Sequence, residues 1–183
     1  MFRFSSAAVA ALLLLGCRKA QQPTGPTEDA AGTVSVQWDG FVRGSLTAPA
    51  TGSWCPTDSL LEVLAVRGDS GFGFALAVTD SVRVAKHSAV APSVVVSWRP
   101  IAVAGLRWVT DTAVRGYEAQ SGTIDVTAVT AGRVTGTIDL RLKQMETIDT
   151  IRLRGSFNQI SVTPALGRCG RAQRPAGAGA GPR

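Results

Sequence analysis

The stretch Val134-Thr135-Gly136-Thr137-Ile138-Asp139-Leu140-Arg141-Leu142-Lys143 decides the fold. Val134, Gly136, Ile138, Leu140 and Leu142 share one parity. Thr135, Thr137, Asp139, Arg141 and Lys143 share the other. A period of two means a strand with one face on a core and one in water. The pattern extends in both directions. Upstream, Ala131-Gly132-Arg133 reads as a turn, and in Thr123 to Val129 the apolar Ile124, Val126 and Ala128 alternate with Thr123, Asp125 and Thr127. Downstream, Ile151, Leu153, Gly155 and Phe157 alternate with Arg152, Arg154 and Ser156. The phase slips at Asn158-Gln159, and Ile160 and Val162 resume on the other parity, which predicts a bulge.

The middle of the chain reads differently. Leu60 to Val66, Phe72 to Val78 and Ser93 to Trp98 are nearly apolar at both parities. Such strands usually have both faces covered. Gly68-Asp69-Ser70-Gly71 and Thr79-Asp80-Ser81 supply turns. Glycine, valine, threonine and alanine dominate, and long helical runs of Leu, Glu and Lys are missing. The expected fold is all-β: an antiparallel two-layer β-sandwich of about 9–11 strands, with covered central strands. The alternative is a closed up-and-down β-barrel, whose lumen would take a small apolar ligand.

A short pattern recurs in Val42-Arg43-Gly44-Ser45-Leu46, Val134-Thr135-Gly136-Thr137-Ile138 and Leu153-Arg154-Gly155-Ser156-Phe157. Alternation places each glycine on the inward face. Mid-strand glycine marks a bend or a close approach, often with an aromatic ring lying over it. Trp38, Trp98 and Trp108 are candidates for that ring. A ligand groove is the competing reading, but mid-strand positions favour core packing, since function concentrates on loops.

The N-terminus carries an address. Arg3 precedes a short apolar stretch, Ala7 to Leu15, that ends in Leu14-Leu15-Gly16-Cys17. A charged start, a short apolar core and a small residue before the cut describe a secretory signal. The stretch is too short to span a bilayer, which takes about 20 residues. With cysteine directly after the cut, the segment resembles the lipobox of bacterial lipoproteins. That resemblance covers residues 1–17 alone. It implies that residues 1–16 are removed and that Cys17 is lipidated at the mature N-terminus. The membrane then becomes a partner through that lipid. The implied location is the bacterial cell envelope. Arg18 stands where enterobacterial lipoproteins of the inner membrane tend to carry aspartate, so the outer membrane is the expected one where the cell has it.

Residues 17–32 comprise the lipidated cysteine and a Pro-, Gln-, Thr- and Gly-containing tether. Residues 33–169 form the expected β-domain, long enough to bury a real core. Residues 170–183 (GRAQRPAGAGAGPR) are a low-complexity tail, expected to be disordered. The formal net charge is +6, and no acidic residue follows Asp149. The basic excess lies after that point, at Arg152, Arg154, Arg168, Arg171, Arg174 and Arg183, rather than in an aromatic-interleaved stripe, so nucleic acid is not an expected partner.

Little catalytic chemistry can be assembled. Cys55 and Cys169 are the cysteines left after Cys17, and an even pair in an exported domain reads as a disulfide. His87 is the sole histidine and reads as a solvated loop residue before Pro92. One histidine without thiolate help does not make the usual zinc site, and no GxSxG surrounds a serine. Asp39, Asp58, Asp69, Asp80 and Asp111 fall at expected turns. Asp125, Asp139 and Asp149 fall beside Arg141, Arg152 and Arg154, as cross-strand ion pairs would. Arg67-Gly68-Asp69 resembles the integrin-binding tripeptide of matrix proteins, but it is also ordinary turn chemistry. The expectation is a non-enzymatic, cofactor-free module that binds an unnamed protein or small molecule or serves a structural role. A lipocalin-like carrier of a small lipophilic ligand is the alternative.

Overall fold

The computed structural model describes residues 32–93, 100–110 and 113–165. Within them nine strands run in chain order: β1 (Gly32–Gly40), β2 (Gly44–Cys55), β3 (Leu60–Arg67), β4 (Ser70–Ala77), β5 (Ala85–Ala89), β6 (Ile101–Val109), β7 (Val114–Thr130), β8 (Arg133–Gln144) and β9 (Thr150–Pro164). The described residues contain no helix. The fold is all-β, as the alternation predicts.

All nine strands belong to one sheet, which closes on itself as a barrel-like ring in the order β1-β2-β3-β4-β6-β5-β7-β8-β9. The expected two-layer sandwich is therefore corrected. The closed alternative is nearer, but it is not a simple up-and-down order, because β5 stands between β6 and β7. Nor is the sheet purely antiparallel, since β5 pairs with β6 and β2 with β9 in parallel.

Bulges explain both departures. β7 is long and its register with β8 shifts twice, between Ala119 and Ser121 and between Val126 and Ala128. Each extra residue bends the strand. Its first part pairs with β6, from Val114 to Glu118. Its second part pairs with β5, from Thr123 to Val126. On β9 the expected bulge at Asn158-Gln159 is present: Gly136 faces Phe157, but Val134 faces Ile160. Gln159 takes a φ of 53°, and its N–H donates to Thr135 Oγ1 at 3.1 Å. Beyond this bend β9 leaves β1 and runs beside the end of β2, from Val162 to Pro164.

Alternation then fills the ring. Val34, Val36, Leu140, Leu153, Phe157 and Ile160 are among the fully buried side chains, and a single cluster spans all nine strands. Of the three tryptophans expected over the inward glycines, Trp38 alone among the described residues takes that place, and Phe157 takes another. A Cβ on Gly44 would strike the Trp38 ring, and one on Gly136 would strike the Phe157 ring. Trp38 and Trp108 stack at 5.4 Å, and Trp108 and Tyr117 at 5.1 Å. These rings close the end of the ring where the β1–β2, β3–β4, β6–β7 and β8–β9 hairpins turn. Trp98, like most of the apolar run Ser93 to Trp98, lies outside the described residues.

Candidate binding surface

The outside of the ring has two contrasting walls. On β7, β8, β9 and β1 the outward positions are polar and laced with ion pairs. Arg152 donates to Asp139 from Nε at 3.0 Å and from Nη2 at 2.7 Å, and Arg154 Nε lies 3.6 Å from Asp139. The Arg152 hydrogen bonds hold the Asp139 carboxyl below the usual carboxylate range. Lys86 Nζ lies 3.7 Å from Asp125. The expected cross-strand pairing is thus present, although Asp125 takes Lys86 rather than arginine. Asp149 instead accepts from the Thr147 hydroxyl at 2.9 Å within the β8–β9 turn.

The opposite wall, on β3, β4 and β6, is apolar and carries little cover among the described residues. Its outward residues run Glu62, Leu64 and Val66 on β3, Gly71, Gly73 and Ala75 on β4, and Val103, Gly105 and Arg107 on β6. Leu64 and Val66 are 56% and 49% exposed. Two adjoining troughs of about 510 Å³ and 350 Å³ share Leu64, Gly73, Gly105 and Glu118. Among the described residues, Pro92 and Met145 alone line them from outside the strands.

The glycines here differ in kind from those inside. A Cβ on Gly71, Gly73 or Gly105 would meet its nearest neighbour at 3.4–3.5 Å, an ordinary contact, and none of the three has a positive φ. Neither packing nor backbone conformation demands glycine. Glycine in a strand without such a demand leaves the backbone open to close approach from outside. Glu62, Arg107 and Glu118 stand around this bare surface, and none forms an ion pair among the described residues.

The doubly apolar reading of β3 and β4 thus has a different cause from the one expected. Their outward residues face a trough rather than a second layer of described strands.

The rim of the ring offers less. At the end opposite the aromatic stack, Trp54, Val82, Val129, Val134, Val162 and Pro164 line an apolar recess of about 200 Å³. Pockets that bury a drug-sized ligand start at about 300 Å³.

His87 is placed differently from the solvated loop expected. It lies on β5 opposite Ile124, faces inward and is 1% exposed. Among the described residues neither ring nitrogen has a partner in hydrogen-bonding geometry. Burial lowers its pKa from 6.5, against weaker opposing effects of the Ile124 and Ala85 backbone and the Asp125 charge. The signal was present as alternation in Ala85-Lys86-His87-Ser88-Ala89. With only small apolar residues on the inward side, it did not read as a strand.

The remaining candidates are scattered. Asp58, Asp69 and Asp80 occupy turns or bends as expected, whereas Asp39 lies within β1, opposite Arg152. Asp111 lies outside the described residues. Arg67-Gly68-Asp69 sits at the exposed β3–β4 turn, with Gly68 at a φ of 57°, and Arg67 donates to the Thr47 carbonyl at 3.2 Å. No group of three His, Cys, Asp or Glu side chains among the described residues could hold a metal. Cys55 ends β2 and is fully buried. Cys169 and Cys17 lie outside the described residues, as do the signal, the tether and the tail.

No family model, no curated protein and no solved structure matches this chain.

Proposed function

We propose that this chain is a lipid-anchored protein of the bacterial cell envelope whose closed β-domain is a non-catalytic binding module. The bare wall of β3, β4 and β6 is its working surface. One observation carries the binding reading: three outward glycines that neither space nor φ requires, set beside exposed Leu64 and Val66. Exposed apolar surface of this kind marks interaction sites. The chemistry of the domain supports a non-catalytic role. Its histidine is sealed in the core, and Asp125 and Asp139 are engaged in ion pairs. A reproducible turnover of ester, peptide, glycoside or phosphoester substrates would overturn that part.

The address rests on Leu14-Leu15-Gly16-Cys17. Acyl chains contribute about 0.8 kcal/mol per buried CH₂, so several chains hold a protein firmly. Cys17→Ser should shift the protein from the membrane fraction to the soluble one or leave it unprocessed. A variant that still matures and sediments with membranes means that Cys17 is not the anchor.

A Cys55–Cys169 disulfide completes the reading. It would tie the end of the domain to the buried end of β2, and closing so long a loop contributes about 4–5 kcal/mol in the chain-entropy treatment. Alkylation of the denatured chain before and after reduction should show two additional thiols only after reduction. Free thiols at both positions without reductant would remove the bridge.

A further inference from the structure

We propose that the bare wall is the face through which two copies of this chain associate, in an arrangement that sets Arg107 of each copy against Glu62 of the other. The assignment rests on the reading of this wall as a binding surface and names its partner.

The argument begins with position. Glu62 on β3 lies in register with Ala75 on β4 and Val103 on β6. Arg107 lies on β6 in register with Gly71. The two charges are therefore two strands apart and four residues apart along the strands. At usual sheet spacings that is about 10 Å across and about 13 Å along. Gly73, in register with Leu64 and Gly105, stands at the middle of this diagonal.

A two-fold axis parallel to the wall, passing over Gly73 at right angles to the diagonal, exchanges its two corners. Each Arg107 then faces Glu62 of the other copy, and two ion pairs form at once. This is the self-complementarity a two-fold interface requires. The strands of the two copies cross steeply, nearer the orthogonal than the aligned class of sheet packing.

The surface between the charges suits this partner. Gly71, Gly73, Ala75 and Gly105 project little, so Leu64 of one copy can seat over the bare backbone of the other between Gly71 and Gly73, while the two Val66 side chains meet near the axis. The charges disfavour other large partners. Two carboxylates, Glu62 and Glu118, accompany one cation, Arg107, which makes a poor face for an anionic lipid surface or for nucleic acid. Anchoring both copies in one membrane through Cys17 would raise their effective concentration.

The test uses the full chain expressed in a bacterial host, with a photo-crosslinking amino acid at Leu64 and, as a control, at Thr137 on the polar wall. Irradiation should give an adduct of about twice the mass of the single mature chain from position 64 and none from position 137. Arg107→Glu and Glu62→Arg should each abolish the adduct, and the double exchange should restore it. Both side chains are at the surface, and unchanged melting of the variants would show that the fold survives. An adduct with a different protein would overturn the second-copy assignment while keeping the wall as a binding face. An adduct at single-chain mass, mapping to another segment of the same chain, would overturn it too. No adduct at all would overturn both the partner and the wall. A twofold-mass adduct indifferent to both charge reversals would overturn the proposed arrangement.

Discussion

Gly155→Val should destabilise the domain by about 3 kcal/mol, among the larger losses expected of a single overpacking substitution. A Cβ at this position would strike the Ser35 carbonyl oxygen and come within 2.8 Å of the Val36 Cα and Cγ1. These are atoms of β1, which is paired on one side to β2 and on the other to β9 itself. Neither neighbour lets β1 retreat. Gly136→Val should cost somewhat less. One of its obstacles is the Phe157 ring, which can turn, although the Asp125 carbonyl cannot. Thr137→Val, exposed on the polar wall beside Gly136, should shift stability by less than about 0.5 kcal/mol. Gly73→Ala should be neutral or stabilise by up to about 1 kcal/mol, because its Cβ has room and the unfolded chain loses freedom. Chemical denaturation of the four variants checks the series. A loss at Gly73 equal to that at Gly155 would show that the inward and outward glycines have been wrongly separated.

Stability should fall as the pH drops below about 6.5, and His87 should be the cause. Its folded-state pKa lies below the unfolded value of 6.5, because burial disfavours the imidazolium. Between the two values the unfolded chain binds more protons than the folded one. Stability therefore rises with pH across that window, by at most about 1.4 kcal/mol per pH unit. Above 6.5 the contribution is constant, and below the folded-state pKa it becomes flat again. The nearest charges, Lys86 and Asp125, are adjacent in sequence to His87 and Ile124, so they lie on the outer face and pair with each other. Asp139, held below 3.8 by Arg152, acts at lower pH. His87→Leu should remove the slope. It should also raise stability by about 1–3 kcal/mol, since two buried nitrogens without partners disappear. Denaturation midpoints at pH 5.5, 6.5 and 8 decide the matter. An equal slope in both proteins would exclude His87 as its source.

Local chemistry determined a good deal here. Alternation in Thr123 to Val126, Val134 to Lys143 and Ile151 to Phe157 set which side chains are inside, because a period of two leaves no other choice once one face is buried; beyond Val126 the β7 bulge reverses the expected phase and sets Ala128 opposite outward Thr135. The phase slip at Asn158-Gln159 located the bulge that turns β9 from β1 toward β2. The repeated inward glycines marked close approach of neighbouring backbones and rings, as found at Gly44, Gly136 and Gly155. Within the described residues, what sequence could not settle was whether the sheet closes and what covers its outer face. An apolar outward position looks the same in a buried layer and in an exposed wall, so β3 and β4 suggested a sandwich that the ring replaces. His87 is the same problem reversed, since its polar side chain masks the alternation that carries it into the core. Closure depends on pairings between residues more than a hundred positions apart, such as Val34 with Phe157 and Gly52 with Val162. No local pattern records those pairings. They exist because a sheet with unpaired edges leaves backbone groups unsatisfied, and joining its first and last strands satisfies them.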